Sequence, residues 1–123
     1  MKILKRTKTK ILLKIKKIGN ILIREEILKD FRSKELRSII DQGKKDIKSG
    51  IVACISIFED KVGLAVGITQ DLTSKYDAVD LVKSASEVLG GKGGGGRKDF
   101  AQAGGVDKDK IEEAFKVISK KIN

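Results

Sequence analysis

Eight of the chain's 13 glycines lie between positions 90 and 105 of its 123 residues. Glycine in an ordered element costs up to ~1 kcal/mol of backbone entropy relative to alanine. Such density next to core-forming segments therefore demands a backbone that turns sharply, takes positive φ or approaches another chain closely. The run reads Gly90-Gly91-Lys92-Gly93-Gly94-Gly95-Gly96-Arg97-Lys98, followed by Asp99-Phe100-Ala101-Gln102-Ala103-Gly104-Gly105. The plain alternative is a flexible linker, but the second half does not have linker composition. No Gly-Lys-Ser/Thr stands at P-loop spacing, and the run follows a helical pattern rather than a strand, which excludes a Rossmann turn. With N–H groups free to donate and Lys92 and Arg97 adding charge, the backbone suits the phosphates or sugars of a nucleotide.

Around this run the hydrophobic pattern marks a small α/β (α+β) domain. Ile21, Leu22 and Ile23 read as a strand over about residues 20–26, after a Gly19-Asn20 turn signal. Ser33 is placed to cap a helix over about 34–47, with Leu36, Ile39, Ile40 and Ile47 on its inner face. Two apolar runs, Ile51–Phe58 and Val62–Thr69, flank Glu59-Asp60-Lys61 and read as an antiparallel hairpin covered on both faces. A second helix follows over about 77–89, and Asp107 caps a third that reaches about Ile122. The order β-α-β-β-α-glycine loop-α implies a small mixed sheet with helices packed on it. Cys54 falls in a buried strand and reads as core; one cysteine excludes an internal disulfide and fits a reducing cytoplasm.

Histidine is absent. That removes Ser-His-Asp and Cys-His catalysis, imidazole acid–base chemistry and His-containing metal sites. The 27 basic residues exceed the 17 acidic ones by ten, which either invites a polyanionic partner or reflects a Lys- and Ile-rich composition. The excess is unevenly placed. Residues 1–17 carry +8, from Lys2, Lys5, Arg6, Lys8, Lys10, Lys14, Lys16 and Lys17 with no acid, leaving 19 basic against 17 acidic groups elsewhere. Leu4, Ile11, Ile15 and Ile18 share a helical face, so this arm reads as the end of a helical connector or a loose tail. A basic amphipathic helix on nucleic acid or an anionic membrane surface is the alternative. On either reading, deleting the arm should weaken salt-sensitive binding and leave the fold intact. Lysines interrupt every apolar run near the N-terminus, and no stretch approaches the ~18 apolar residues of a spanning helix, so neither a signal peptide nor a spanning segment is expected and no membrane is counted among the partners.

The glycine run with Asp99-Phe100-Ala101-Gln102-Ala103-Gly104-Gly105 closely resembles the GGKGGGRPDMAQAGG signature of the C-terminal, DHHA1-family domain of alanyl-tRNA synthetases. Collinear matches extend it: Lys34-Glu35-Leu36-Arg37, Val66-Gly67-Ile68-Thr69-Gln70-Asp71-Leu72-Thr73 and Leu81-Val82-Lys83. The resemblance covers roughly residues 18–123, which sets 1–17 apart as the arm. Three departures stand out: an extra glycine before Arg97, Lys98 where the family has proline, and Phe100 in place of methionine. The first two should loosen the turn.

The resemblance implies a tRNA-binding domain that grips the elbow of tRNA, tRNA-Ala in the first instance. It would support aminoacylation and editing by upstream domains without being catalytic itself, in the cytoplasm and without a cofactor. The upstream domains of the synthetase and a second copy of the chain are further partners it implies. The expected nucleic-acid-binding residues are Gly91, Lys92, Gly93, Gly94, Gly95, Gly96, Arg97, Lys98, Gln102, Gly104 and Gly105. Phe100 is expected in the core. Gln102 would bond either a base edge or the backbone at Gly104-Gly105, and Lys75 and Tyr76 would be solvated. Two other functions stay open. One is the nucleic-acid- or nucleotide-binding C-terminal domain of a DHH-type phosphoesterase, whose motif has histidine where this chain has Arg97. The other is a dimerisation module.

Overall fold

A computed structural model describes residues 8–122 as six strands and three helices. The strands are β1 (Thr9–Ile18), β2 (Ile21–Lys29), β3 (Ile51–Phe58), β4 (Lys61–Ile68), β5 (Gly94–Gly96) and β6 (Phe100–Gly105). The helices are α1 (Leu36–Ile47), α2 (Ala78–Val88) and α3 (Ile111–Ile122). They form the mixed sheet with packed helices that the pattern implies, in the spatial order β1-β2-β3-β4-β6-β5. β2 and β3 are parallel, joined through α1, and every other neighbouring pair is antiparallel. Helices α2 and α3 cover one face with Ile23, Ile55, Leu64, Val66 and Ile68; α1 covers the other with Leu28, Val52, Cys54, Ala65 and Phe100. Burial on both faces accounts for the unbroken apolar runs of β3 and β4. No helix among the described residues is long and apolar enough to cross a membrane.

The N-terminal arm departs from the expectation of a helix or loose tail. Residues 9–17 belong to strand β1, which pairs with β2 along its length from Thr9↔Lys29 to Ile18↔Ile21. The rest of the arm, 1–7, with Lys2, Leu4, Lys5 and Arg6, lies outside the described residues. Gly19 and Asn20 form a two-residue hairpin turn with Gly19 at φ +60, the position where a turn that matches strand twist wants glycine. The helical spacing of Ile11, Ile15 and Ile18 loses because β2 is rich in β-branched residues and carries acids that need the arm's lysines. Glu26 is fully buried; Lys10 Nζ lies 2.6 Å from one carboxylate oxygen and Arg24 Nε 3.2 Å from the other. Lys16 reaches Glu25 at 3.0 Å. A buried carboxylate without partners would cost several kcal/mol, so β1 completes the charge balance of β2.

Two further strands, β5 and β6, stand where the sequence shows only a glycine loop. Ser33 also differs from expectation. It opens a short 3₁₀ turn, Ser33–Glu35, whose N-cap is Arg32, and α1 follows directly. Cys54 is core: it is fully buried beside Glu26, and burial first, then that anion, push its thiol far above the ordinary range. The native protein is therefore expected to resist thiol-labelling reagents at pH 8 and to react fully once unfolded in guanidinium. Rapid native labelling would contradict this packing.

Candidate nucleic-acid interface

The glycine run folds as the last hairpin of the sheet. β5 and β6 pair with Gly94↔Ala103, Gly95↔Gln102 and Gly96↔Ala101, and their turn is Arg97-Lys98-Asp99-Phe100. Gly94 has to be glycine: a Cβ there would overlap the Gln102 carbonyl and sit 2.6 Å from Ala103 Cβ. Gly95 is the opposite case, with nothing within 4 Å of the Cβ position. Because β5 is the terminal strand among the described residues, its outward backbone groups have no strand partner there. Without side chains they are open to a ligand's backbone.

The turn is fixed from several directions. Arg97 N–H donates to the Phe100 carbonyl at 2.7 Å, and Ala78 N–H, at the start of α2, donates to the Lys98 carbonyl at 3.0 Å. The Asp99 carbonyl accepts twice, from Ile68 N–H of β4 at 2.9 Å and from Lys44 Nζ of α1 at 2.8 Å. These bonds hold the turn with Lys98 and the extra glycine in place. Position 98 enters these bonds only through its carbonyl, so none of them is lost to a proline's missing N–H.

Around the tip lies a basic cleft. Gln70, Thr73, Arg97, Lys98 and Asp99 line one part of it; Lys44, Lys45, Lys48 and Thr69 line the adjoining part, which shares Gln70 and Asp99. The exposed Arg97 guanidinium is 3.5 Å from the Asp99 carboxylate. Asp71, at the cleft's edge, accepts from the hydroxyls of Ser49 and Thr69, and these bonds hold its carboxyl below the ordinary aspartate range. With Asp71 and Asp99 engaged in this way, Lys45, Lys48 and Lys98 remain as exposed cations. Lys44, Lys45 and Lys48 escape a reading of the sequence because about fifty residues separate them from the glycine run. Their one local signal is a cluster of lysines in the last turn and cap of α1, on either side of its inner residue Ile47.

The expected site residues divide into three places. Gly94, Gly95, Gly96, Arg97 and Lys98 form the outer strand and tip. Gly91, Lys92 and Gly93 form the loop at the opposite end of β5, so Lys92 and Arg97 do not share a contact point. That loop is tied to α2 by Ser86, which no motif in the sequence singles out. The buried Ser86 hydroxyl donates to the Gly104 carbonyl at 2.8 Å and accepts from Gly93 N–H at 3.2 Å, and the Ser86 carbonyl accepts from Gly91 N–H at 2.8 Å. Gly104 and Gly105 end β6 at the same end of the sheet as that loop. Gln102 does not bond the backbone at Gly104-Gly105: its amide donates to the Ser33 carbonyl at 2.7 Å, bracing the hairpin against the turn before α1. Phe100 is buried as expected, with the Arg37 guanidinium 4.9 Å from its ring centre. Tyr76 is half-buried rather than solvated, and its hydroxyl donates to the Ile122 carbonyl at 3.0 Å.

Comparison with known proteins agrees with this architecture. The model of the family described as "DHHA1 domain" matches residues 19–123. The alanine–tRNA ligase of Bradyrhizobium diazoefficiens is 47% identical over 107 residues, 86% of this chain and 12% of that protein. That of Hyphomonas neptunium is 51% identical over 85 residues, 69% of this chain and 10% of that protein. The chain thus spans about 12% of the length of the curated relatives it matches. Among solved structures, the C-Ala domain of Aquifex aeolicus alanyl-tRNA synthetase superposes with a TM-score of 0.82 at 30% identity, over 88% of this chain and 96% of that one. A DHH-domain protein described as a member of a family of ribosomal proteins shares the fold, with a TM-score of 0.56 at 18% identity over 89% of this chain and 27% of its own.

Proposed function

Because the chain belongs to the DHHA1 domain family, resembling the C-terminal domain of alanine–tRNA ligases, we propose that it binds tRNA at the elbow and has no catalytic role of its own. Catalysis and editing would belong to the remainder of a ligase, and this domain would hold the tRNA that they share. The observation that carries the reading is the basic cleft around a glycine hairpin tip anchored from α1, α2 and β4. Folded RNA is recognised by shape, phosphates and 2′-hydroxyls, for which a side-chain-free edge strand and placed cations are suited. tRNA-Ala is the first ligand to test. Selection among tRNAs would need contacts outside the elbow, because the corner is built alike in all of them.

Lys45→Gln, Lys48→Gln and Lys98→Gln combined should weaken tRNA binding at least tenfold in a fluorescence titration at 50 mM salt. The salt slope should fall by about one for each phosphate that the variant no longer neutralises. Lys92→Gln alone should change binding less, because it sits at the far end of β5. If the triple variant reproduces the wild-type titration at both 50 and 200 mM salt, the cleft is not the RNA site.

A further inference from the structure

We propose that Arg37 is a phosphate anchor, and that RNA leaving the basic cleft runs past it across the uncovered end of the sheet beside α1. The inference rests on the tRNA-binding reading and deepens it, adding a residue outside the cleft and a path for the nucleic-acid chain. Arg37 is exposed, and its guanidinium carbon lies over the Phe100 ring, 4.9 Å from the centre. Such a contact uses the face of a guanidinium and leaves the N–H groups at its edge, so it orients the donors without consuming them. Those donors have no hydrogen-bond or ion-pair partner among the described residues; Asp41, one turn further along α1, does not pair with them. An arginine held on a ring with its fork free suits bidentate binding of a phosphate.

The ground beside Arg37 is open. Helix α1 packs chiefly on β3 and β4. Beyond it the same face of the sheet continues over β6 and β5, where Phe100 and Gln102 point to the α1 side and Gly95 stands opposite Gln102. A Cβ at Gly95 would meet nothing within 4 Å, so the shelf is clear above β5. These groups select a sugar–phosphate backbone over a base. The Phe100 ring is buried and already has Arg37 over it, so it offers no face for stacking. What remains is glycine backbone with a cation at its side, which suits phosphate and sugar oxygens. The position continues the cleft. Arg37 and Lys44 are seven residues apart on α1, two turns and ~10.5 Å along one stripe, and Lys44 is bonded to the Asp99 carbonyl in the hairpin turn. A chain gripped by Lys45, Lys48 and Lys98 therefore passes Arg37 as it follows the helix towards its N-terminal end.

The test titrates tRNA-Ala with the wild type, Arg37→Gln and Arg37→Lys at 50, 100 and 200 mM salt. We expect Arg37→Gln to bind about tenfold more weakly at 50 mM and to lower the salt slope by about one, the share of one phosphate. Arg37→Lys keeps the charge and should keep the wild-type slope, while a point charge without the planar fork recovers only part of the affinity. Both variants should melt within about 5 °C of wild type, because an exposed cation–π contact contributes little to stability. Wild-type affinity and slope in Arg37→Gln overturn the anchor and leave the basic cleft standing. Weaker binding by Arg37→Gln with an unchanged slope assigns Arg37 to the packing of Phe100 and also overturns it. If the wild type binds no tRNA, the anchor falls together with the proposed function.

Discussion

Deleting residues 1–18 is expected to abolish stable folding, contrary to the dispensable arm that the charge pattern suggests. Strand β1 supplies one whole neighbour of β2, and its loss exposes the β2 edge for its full length. It also removes the lysines that hold the buried Glu26 and Glu25. An exposed edge whose two carboxylates have lost their lysine partners is an unstable and aggregation-prone arrangement. Circular dichroism should show the deleted chain unfolded or melting more than about 10 °C below wild type. A point version isolates the charge. Lys10→Met should cost about 1–3 kcal/mol, because Arg24 still contacts Glu26, and adding Glu26→Gln should recover most of that loss. A deletion that melts like wild type would return β1 to the status of an appendage.

The second large effect separates two adjacent glycines. Gly94→Val forces a side chain into the Gln102 carbonyl and Ala103, so the β5–β6 pairing has to open. Urea unfolding should report a loss of about 2–4 kcal/mol, in line with steric overpacking at a backbone contact. RNA binding should fall with it, because the tip is carried by this hairpin. Gly95→Ala meets nothing within 4 Å and should stay within about 0.5 kcal/mol of wild type. If RNA runs along the bare outer strand, Gly95→Ala still lowers affinity while stability holds. Equal stability for Gly94→Val and wild type would show that the glycine at 94 is not required by this packing.

Most of the framework is legible in the sequence because it rests on local periodicity. The α1, α2 and α3 helices and the β3–β4 hairpin announce themselves through apolar spacing, and Asp107 caps the 3₁₀ turn Lys108–Lys110 that leads into α3, accepting from Asp109 N–H. What is not legible depends on pairing at a distance. Residues 9–18 carry a helical spacing, and the partner strand β2, with its β-branched residues and its acids, decides against it. Gly94–Gly96 has no side chains and so no period; its strand character comes entirely from the partner β6. The candidate site splits in the same way. The glycine run and Arg97 can be read from the motif, whereas Lys44, Lys45, Lys48 and Ser86 join it through contacts that no local pattern encodes. Gln102 illustrates the limit: its chemistry allows several partners, and Ser33, 69 residues away in sequence, is the one that lies within reach.

The most direct test of RNA recognition at this hairpin is a nuclease footprint of the chain on full-length tRNA-Ala, repeated with the Lys45→Gln, Lys48→Gln, Lys98→Gln variant. Protection confined to the outer corner of the tRNA, and absent with the variant at equal protein concentration, is the predicted result. Protection of the acceptor stem or anticodon arm, or a corner footprint that the variant leaves unchanged, would contradict it.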